Sequence, residues 1–356
     1  MIHIKVPGKL YLAGEYAVLS AGNPALVFTV DRFMNLSLSF KETEGLIVDN
    51  DFPPILWTRQ DPVYYNNDDH FAMLFASIRI TDRYLQALNI DLKYYEIHIQ
   101  TELKEDNIKL GLGSSAAISV GVIKGILALY ELPITPLLIY KLAVCAHLDL
   151  NLVGSFGDIA ACAYTGLIKY SSVDRQWLQI KQRNLEFLDL LEESWPSLKI
   201  KSLPALDFVT YFVGWTKASV STQKMVQKLQ SSSLSENFHR YFLKESQYLV
   251  EQIEQSIETK DIVLFQNYIQ RHRHLLSQLQ QETDLLIETE VLSEFIKIAE
   301  QFGGVAKTSG AGGGDCGLAF FDDSKPTEPI MEAWRQASVQ IIPLKFYQEV
   351  SYDEKR

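Results

Sequence analysis

The chain has 356 residues, 47% of them hydrophobic, and a formal net charge of −11. Such a length and apolar content provide for two domains with a sizeable core and argue against disorder, while the acidic balance argues against a nucleic-acid partner. Three cysteines without paired spacing (Cys145, Cys162 and Cys316), and no apolar run of bilayer length, give the expectation of a cytoplasmic protein with no membrane partner.

Residues 2–6 and 36–40 alternate apolar and polar positions as half-buried strands do. Between them lies the segment PGKLYLAGEYAVL (7–19), which sets Lys9 behind a Pro-Gly turn and carries Glu15 and Tyr16. Residues 51–69 are rich in Pro, Asn and Asp and read as a loop. Residues 70–88 place Phe71, Leu74, Phe75, Ile78 and Leu85 at helical spacing, and 95–101 read as a strand.

The next segment, KLGLGSSAA (109–117), is the strongest local signal. Gly111 and Gly113 allow a tight turn and close approach to a ligand. Ser114 or Ser115 can cap the helix that follows. Unpaired N–H groups at a helix start, with the helix dipole and the charge of Lys109, make an anion site. Phosphate contacts are expected from Lys109, Gly111, Leu112, Gly113, Ser114, Ser115 and Ala116, with a nucleotide as the carrier. A dinucleotide fingerprint has small residues at the positions of Gly111, Gly113 and Ala116, and an acid where Glu131 stands. The context opposes it: a polar stretch (102–107) separates the strand from the first glycine, and 133–147 read as a helix. A P-loop wants its lysine after the glycines, whereas Lys109 precedes them.

Farther on, GSFGDIA (154–160) contains Asp158, either the N-cap of a helix starting at 159 or a working carboxylate; spacing alone leaves the two equal. Residues 167–170 suit a strand. The charged stretch 174–202 holds the expected boundary, dividing the chain into residues 1–200 and 201–356. After a strand at 208–215, no glycine or proline occurs between Gly214 and Gly303, which predicts long helices. Within that stretch, RHRH (271–274) reads as a solvated face, and His98 and His147 read as structural. Residues 305–307 and 316–321 read as strands flanking KTSGAGGGDCG (307–317). A helix at 327–337 and a strand at 339–346 follow, and the interleaving fits a ferredoxin-like α+β domain.

The three glycine-bearing motifs, in this order, resemble those of the galactokinase, homoserine kinase, mevalonate kinase and phosphomevalonate kinase (GHMP) family, and the resemblance spans almost the whole chain. It implies an α+β, two-domain fold: an N-terminal mixed α/β domain with the glycine-rich phosphate loop, a C-terminal ferredoxin-like domain, and an active site between them. It implies ATP as co-substrate, Mg2+, and a monomer or homodimer. Tyr16, where mevalonate kinases usually carry a histidine, Asp315 after the glycine run, and FVGWT (212–216) resemble the phosphomevalonate kinase branch. That branch implies 5-phosphomevalonate as the small-molecule partner. A mevalonate kinase, and a catalytically inactive nucleotide-binding sensor, stand as alternatives.

The resemblance also implies roles. Lys9 and Asp158 are the expected catalytic pair: Lys9 contacts substrate phosphate or the phosphoryl group in flight, and Asp158 either takes the acceptor's proton or orients the acceptor. Direct pairing with Lys9 would lower that carboxylate's proton affinity. One loop serine, expected to be Ser115, holds magnesium while the other caps. Glu15, Tyr16, Ser155 and Lys307 are expected at the acceptor, with Ser309, Gly310, Ala311, Gly312, Gly313 and Gly314 bringing backbone N–H groups to phosphate. Lys9, Lys109 and Lys307 are expected to make the site locally basic. Asp315 is expected to point away from the phosphates or to pair with Lys307 or magnesium.

Overall fold

The computed structural model describes residues 1–66, 70–218, 220–324 and 327–349. A long ribbon starts the chain: β1 (Ile2–Ala13) runs antiparallel to β2 (Pro24–Lys41), from Ile2 opposite Leu38 to Ala13 opposite Leu26. The strands are longer than their alternating patterns because residues 6–13 of β1 and 24–30 of β2 are buried throughout, and such segments do not alternate. β3 (Gly45–Asp49) and β4 (Phe52–Trp57) follow, then α1 (Pro62–Tyr65), α2 (Ala72–Ala87), β5 (Tyr94–Thr101), and a small hairpin of β6 (Lys104–Glu105) and β7 (Ile108–Lys109).

The expected loop at 51–69 therefore holds a strand and a short helix; its residues 67–69 lie outside the described set. Aromatic packing overrides the polar composition. Trp57 is fully buried, stacks on Tyr64 with centroids 5.5 Å apart, and meets Phe75 edge-on. Pro53 and Pro54 are tolerated because β4 is an edge strand.

α3 (Ser114–Leu129) is apolar on nearly every side because α2, α4 (Pro136–Asp149), β1 and β2 all pack around it. α5 (Gly157–Tyr164), β8 (Leu167–Ser171), α6 (Arg175–Asn184), α7 (Phe187–Glu192) and β9 (Lys199–Leu203) complete this half. Its sheet runs β4-β3-β5-β2-β8-β9, with β1 also on β2, and among the described residues only the β3–β5 pair is parallel.

The second sheet has the order β11-β12-β10-β13, all antiparallel, from β10 (Thr210–Trp215), β11 (Val305–Ser309), β12 (Cys316–Phe321) and β13 (Gln340–Ile342). The glycine-free stretch forms α8 (Thr222–Ser231), α9 (Glu236–Glu258), α10 (Ile262–Glu282) and α11 (Glu290–Gln301), and α12 (Thr327–Gln336) follows β12. The oxygens of Ser221, Ser235, Asp261 and Thr289 accept a backbone N–H at the starts of α8 to α11.

β13 is shorter than the expected strand at 339–346 because the chain leaves this sheet after Ile342 and crosses to the other one. There Asp31 N donates to Lys345 O (3.0 Å), Tyr347 N to Thr29 O (2.9 Å), and Gly166 N to Tyr347 O (3.2 Å). The strap lies along β2 where its pairing with β8 ends at Phe28. Apolar packing is continuous between the sheets, as in the edge-on contact of Phe28 with Tyr211. Among the described residues no helix is long and apolar enough to cross a membrane.

Candidate active site

The first glycine loop is docked directly on β1. Lys9 N donates to Leu112 O at 3.0 Å, and Lys9 Nζ donates to Gly111 O at 3.1 Å. Gly113 is required twice over: its φ is +83°, and an added Cβ would lie 2.8 Å from Lys9 Cε. Gly113 is also the N-cap of α3, with no side-chain cap, so Ser114 and Ser115 fall inside the first turn. This corrects the expectation that one of the two serines caps the helix. It leaves the N–H groups of the first turn for an anion, beside the exposed Lys109. The side chains of Leu112 and Ala116 are core, so only their backbones can face a ligand.

Ser115 is exposed, and its hydroxyl meets His147 Nε2 at 3.4 Å. His147 Nδ1 lies 2.9 Å from Ala143 O, which can only accept, so Nδ1 carries the proton and Ser115 donates to Nε2. Burial keeps His147 on the neutral side of its ordinary range. The Ser115 oxygen thus keeps its lone pairs for a hard cation. No group of three or more His, Cys, Asp or Glu side chains fit for a metal occurs among the described residues. The donor set fits a magnesium ion held mainly by phosphate oxygens and water, with one protein hydroxyl.

Asp158 lies in the first turn of α5, half-buried, its Oδ1 accepting Ile159 N at 3.0 Å. The N-cap is Phe156, at φ 64°, so Asp158 is not the cap. No ion pair between Asp158 and Lys9 forms among the described residues; the Lys9 ammonium rests on the Gly111 carbonyl instead. The loop before Asp158 is fixed by a chain of buried hydroxyls that the sequence did not reveal. Tyr140 Oη meets Tyr170 Oη at 2.9 Å, Tyr170 Oη donates to Ser155 O at 2.5 Å, and Ser155 Oγ meets Tyr11 Oη at 2.9 Å. Burial and the Asp158 charge hold the Tyr11 and Tyr140 phenols well above their usual range.

The second glycine loop is held by more distant residues. Ser309 Oγ accepts Tyr11 N at 2.9 Å and donates to Tyr11 O at 3.0 Å. Tyr16 Oη donates to Ala311 O, and Tyr16 itself sits at φ 63°. Gly313 N donates to Ile287 O at 2.8 Å, and a Cβ at Gly312 would collide with the same carbonyl. Gly314 packs against residues 218 and 220. These glycines allow close packing against protein, and the Gly313 N–H is already used, which corrects the expectation that the whole run serves phosphate. Around Gly310 the space is open.

Lys307 also departs from its expected place. It is 0% exposed, and its ammonium bonds Glu15 Oε1 and, at 2.5 Å, Thr308 O. The charge expected to make the site basic is neutralised inside the molecule. Burial raises the Glu15 carboxyl and lowers the Lys307 ammonium, each opposed by its partner. His272, expected on a solvated face, is fully buried beside this pair, whereas Arg271 and Arg273 do pair with glutamates on the outside.

Asp315 does not pair with Lys307, as one expectation had it, because Glu15 takes that ammonium; it packs over Gly111, where a Cβ would lie 2.5 Å from Asp315 Cβ. Burial raises its carboxyl, opposed by Lys9 and Lys109. Cys316 Sγ donates to Leu110 O at 3.1 Å, so the two glycine loops touch at 110–111 and 315–316.

Two cavities flank this junction. One of about 200 Å³ is lined by Lys109, Ser114, Ser115, Lys104, His70 and Phe71. The other, about 60 Å³, is lined by Tyr11, Glu15, Tyr16, Ser155, Gly310 and Ala311, with Thr222 and Val226 of α8, which sequence reasoning missed. The position of α8 depends on tertiary packing, so no local signal could have placed these two.

A family model described as GHMP kinases N terminal domain matches residues 76–166, and one described as GHMP kinases C terminal matches residues 250–340. The phosphomevalonate kinase of Streptomyces sp. (strain CL190) is 31% identical over 355 residues, 95% of this chain and 95% of that protein. The mevalonate kinase of Methanocaldococcus jannaschii is 24% identical over 331 residues, 92% of this chain and 95% of that protein. Among solved structures, Streptococcus pneumoniae phosphomevalonate kinase in complex with phosphomevalonate and AMPPNP is similar with a TM-score of 0.87 and 27% identity, covering 98% of this chain and 100% of that one.

Proposed function

The chain belongs to the GHMP kinase family, and we propose that it transfers the γ-phosphoryl group of ATP to the phosphate of 5-phosphomevalonate, giving 5-diphosphomevalonate and ADP. The observation that carries the reading is the Lys9 ammonium, fixed at Gly111 where the two glycine loops meet. The likeness to phosphomevalonate kinases over nearly the whole chain supports the choice of acceptor.

We assign residues 1–200 to the nucleotide-binding lobe and 201–356 to the second lobe; β9, at 199–203, extends the first sheet to this boundary. The nucleotide's phosphates bind at Lys109 and the backbone of Gly111–Ala116, on the start of α3. The acceptor lies in the smaller cavity against Tyr16, Ser155, Gly310 and Ala311. Phosphoryl transfer needs positioning and charge neutralisation more than covalent help from the protein. The acceptor here is itself a phosphate, whose oxygen is anionic near neutral pH. A strong base is therefore unnecessary, and Asp158 acts by orienting the acceptor. Lys9 stabilises charge on the transferring group. Ser115 would hold a magnesium ion, which when bound would supply further charge neutralisation at the phosphates. We place the enzyme in the cytoplasm, a compartment that suits its three free, buried cysteines.

A second reading, mevalonate kinase, draws on the Methanocaldococcus relative. Tyr16 and Asp315 speak against it. ADP release from ATP and magnesium, measured with 5-phosphomevalonate and with mevalonate, separates the two. Turnover with the phosphorylated compound alone is expected. Turnover with mevalonate alone overturns the acceptor, and silence with both overturns the substrate class.

A further inference from the structure

Glu15 and Lys307 pair with each other inside the protein, and a third titratable group faces them. His272, on α10, is completely buried. Gly14 N donates to its Nε2 at 2.8 Å. A ring nitrogen that accepts carries no hydrogen, so a neutral His272 carries its proton on Nδ1. Burial, reinforced by the Lys307 charge, holds the ring neutral. Nδ1 points toward Glu15 Oε2 at 3.8 Å, and neither atom has a hydrogen-bond partner among the described residues. Two complementary, buried, unsatisfied atoms this close are unusual in a native interior. A movement of about 1 Å would bring them to hydrogen-bond length.

The walls of the smaller cavity hang on this cluster. Glu15 Oε1 accepts from Lys307 and, at 3.4 Å, from Gly310 N. The neighbouring Tyr16 holds Ala311. His272 therefore acts on the turn at 14–16 from behind: it fixes Gly14 directly and can fix the second oxygen of Glu15.

We propose that His272 is a positioning residue for phosphoryl transfer, whose Nδ1–H closes onto Glu15 Oε2 when the acceptor seats and so locks Tyr16, Gly310 and Ala311 around it. The proposal rests on reading this cavity as the acceptor site. It gives the buried triad a task that neither substrate contact nor proton transfer supplies.

The test varies ATP and 5-phosphomevalonate separately with wild type, His272→Gln and His272→Leu. Glutamine keeps an acceptor for the Gly14 N–H; leucine keeps neither function. For a folded His272→Leu, we expect KM for the acceptor to rise and kcat to fall by about tenfold each, with KM for ATP within about twofold and glutamine recovering most of the loss. A folded leucine variant with wild-type kcat and acceptor KM, or an equal loss toward both substrates, overturns the proposal. Should the leucine variant not fold, long-range proton–nitrogen NMR of the wild-type enzyme decides. Protonated Nδ1, bare Nε2 and a shift of the Nδ1 proton on adding 5-phosphomevalonate are expected. Protonated Nε2, or no response from an enzyme that turns the compound over, overturns it. Absence of wild-type turnover with 5-phosphomevalonate sinks the substrate reading alone, because the tautomer in the free enzyme still tests the network.

Discussion

The loop at 110–113 and the loop at 309–315 both turn on glycines, but their backbone donors face different things. The first ends in an uncapped helix start beside an exposed lysine, and its shape comes from left-handed glycines and the first turn of α3. In the second, Gly313 N is bonded to Ile287 O, Asp315 N to Ala218 O, and Gly310 N leans on Glu15. Much of the second loop is thus tied to protein, by residues as far away in the chain as Tyr11 and Tyr16. A count of glycines does not distinguish a loop that binds phosphate from one that walls a cavity; the destinations of the N–H groups do.

Lys9 is bonded to the first loop while its charge acts on Asp315 of the second, and its loss should give the largest effect. Lys9→Ala is expected to lower kcat by about a thousandfold, while KM for ATP changes less than about threefold. Steady-state kinetics check this, and turnover within a factor of about ten of wild type would remove Lys9 from its role at the transferring group.

Lys307→Met sharpens the contrast next. It leaves Glu15 buried without its cation, so urea unfolding should show a loss of about 3–5 kcal/mol, part of which returns in the double variant with Glu15→Gln. Lys109→Met, on the exposed first loop, should leave the unfolding midpoint nearly unchanged and weaken ATP binding. A Lys307→Met protein as stable as wild type would break the picture of a clamped second loop.

The smallest effect tests the one open position of that loop. A Cβ at Gly310 meets nothing within 4 Å, so Gly310→Ala should cost only the strain of its positive φ, about 1–2 kcal/mol. Gly312→Ala, which drives a methyl into a carbonyl, should cost visibly more in the same unfolding experiment. Equal costs would mean that the loop readjusts freely.

These contrasts follow how the molecule could be read beforehand. The helix at 114, the strand at 316–321 and the glycine-free helical stretch were legible because each is dictated by neighbours along the chain. The Glu15–Lys307 pair was not, since 292 residues separate its members and nothing local signals a partner. The segment at 51–69 failed for a related reason: Trp57 finds Tyr64 and Phe75 only after the chain has folded. His272 is different, because its signal was present. Ile269, His272, Leu276 and Leu279 share one face of α10, and the flanking arginines drew attention to charge where the phase of the apolar stripe pointed inward.

The strap at 344–349 bears on how the protein is made. Beyond the bond that Thr29 N donates to Gly166 O, β2 gains hydrogen bonds at Thr29 and Asp31 from Tyr347 and Lys345, and Gly166 N also donates to Tyr347 O. During synthesis these groups emerge more than a hundred residues before their partners. A ribosome-bound chain therefore carries an unfinished sheet edge until the strap emerges, a surface open to chaperones and to wrong strand pairing. Loss of those few residues, far along the chain from the Lys9 and Asp158 motifs, would leave each nascent molecule in that exposed state permanently.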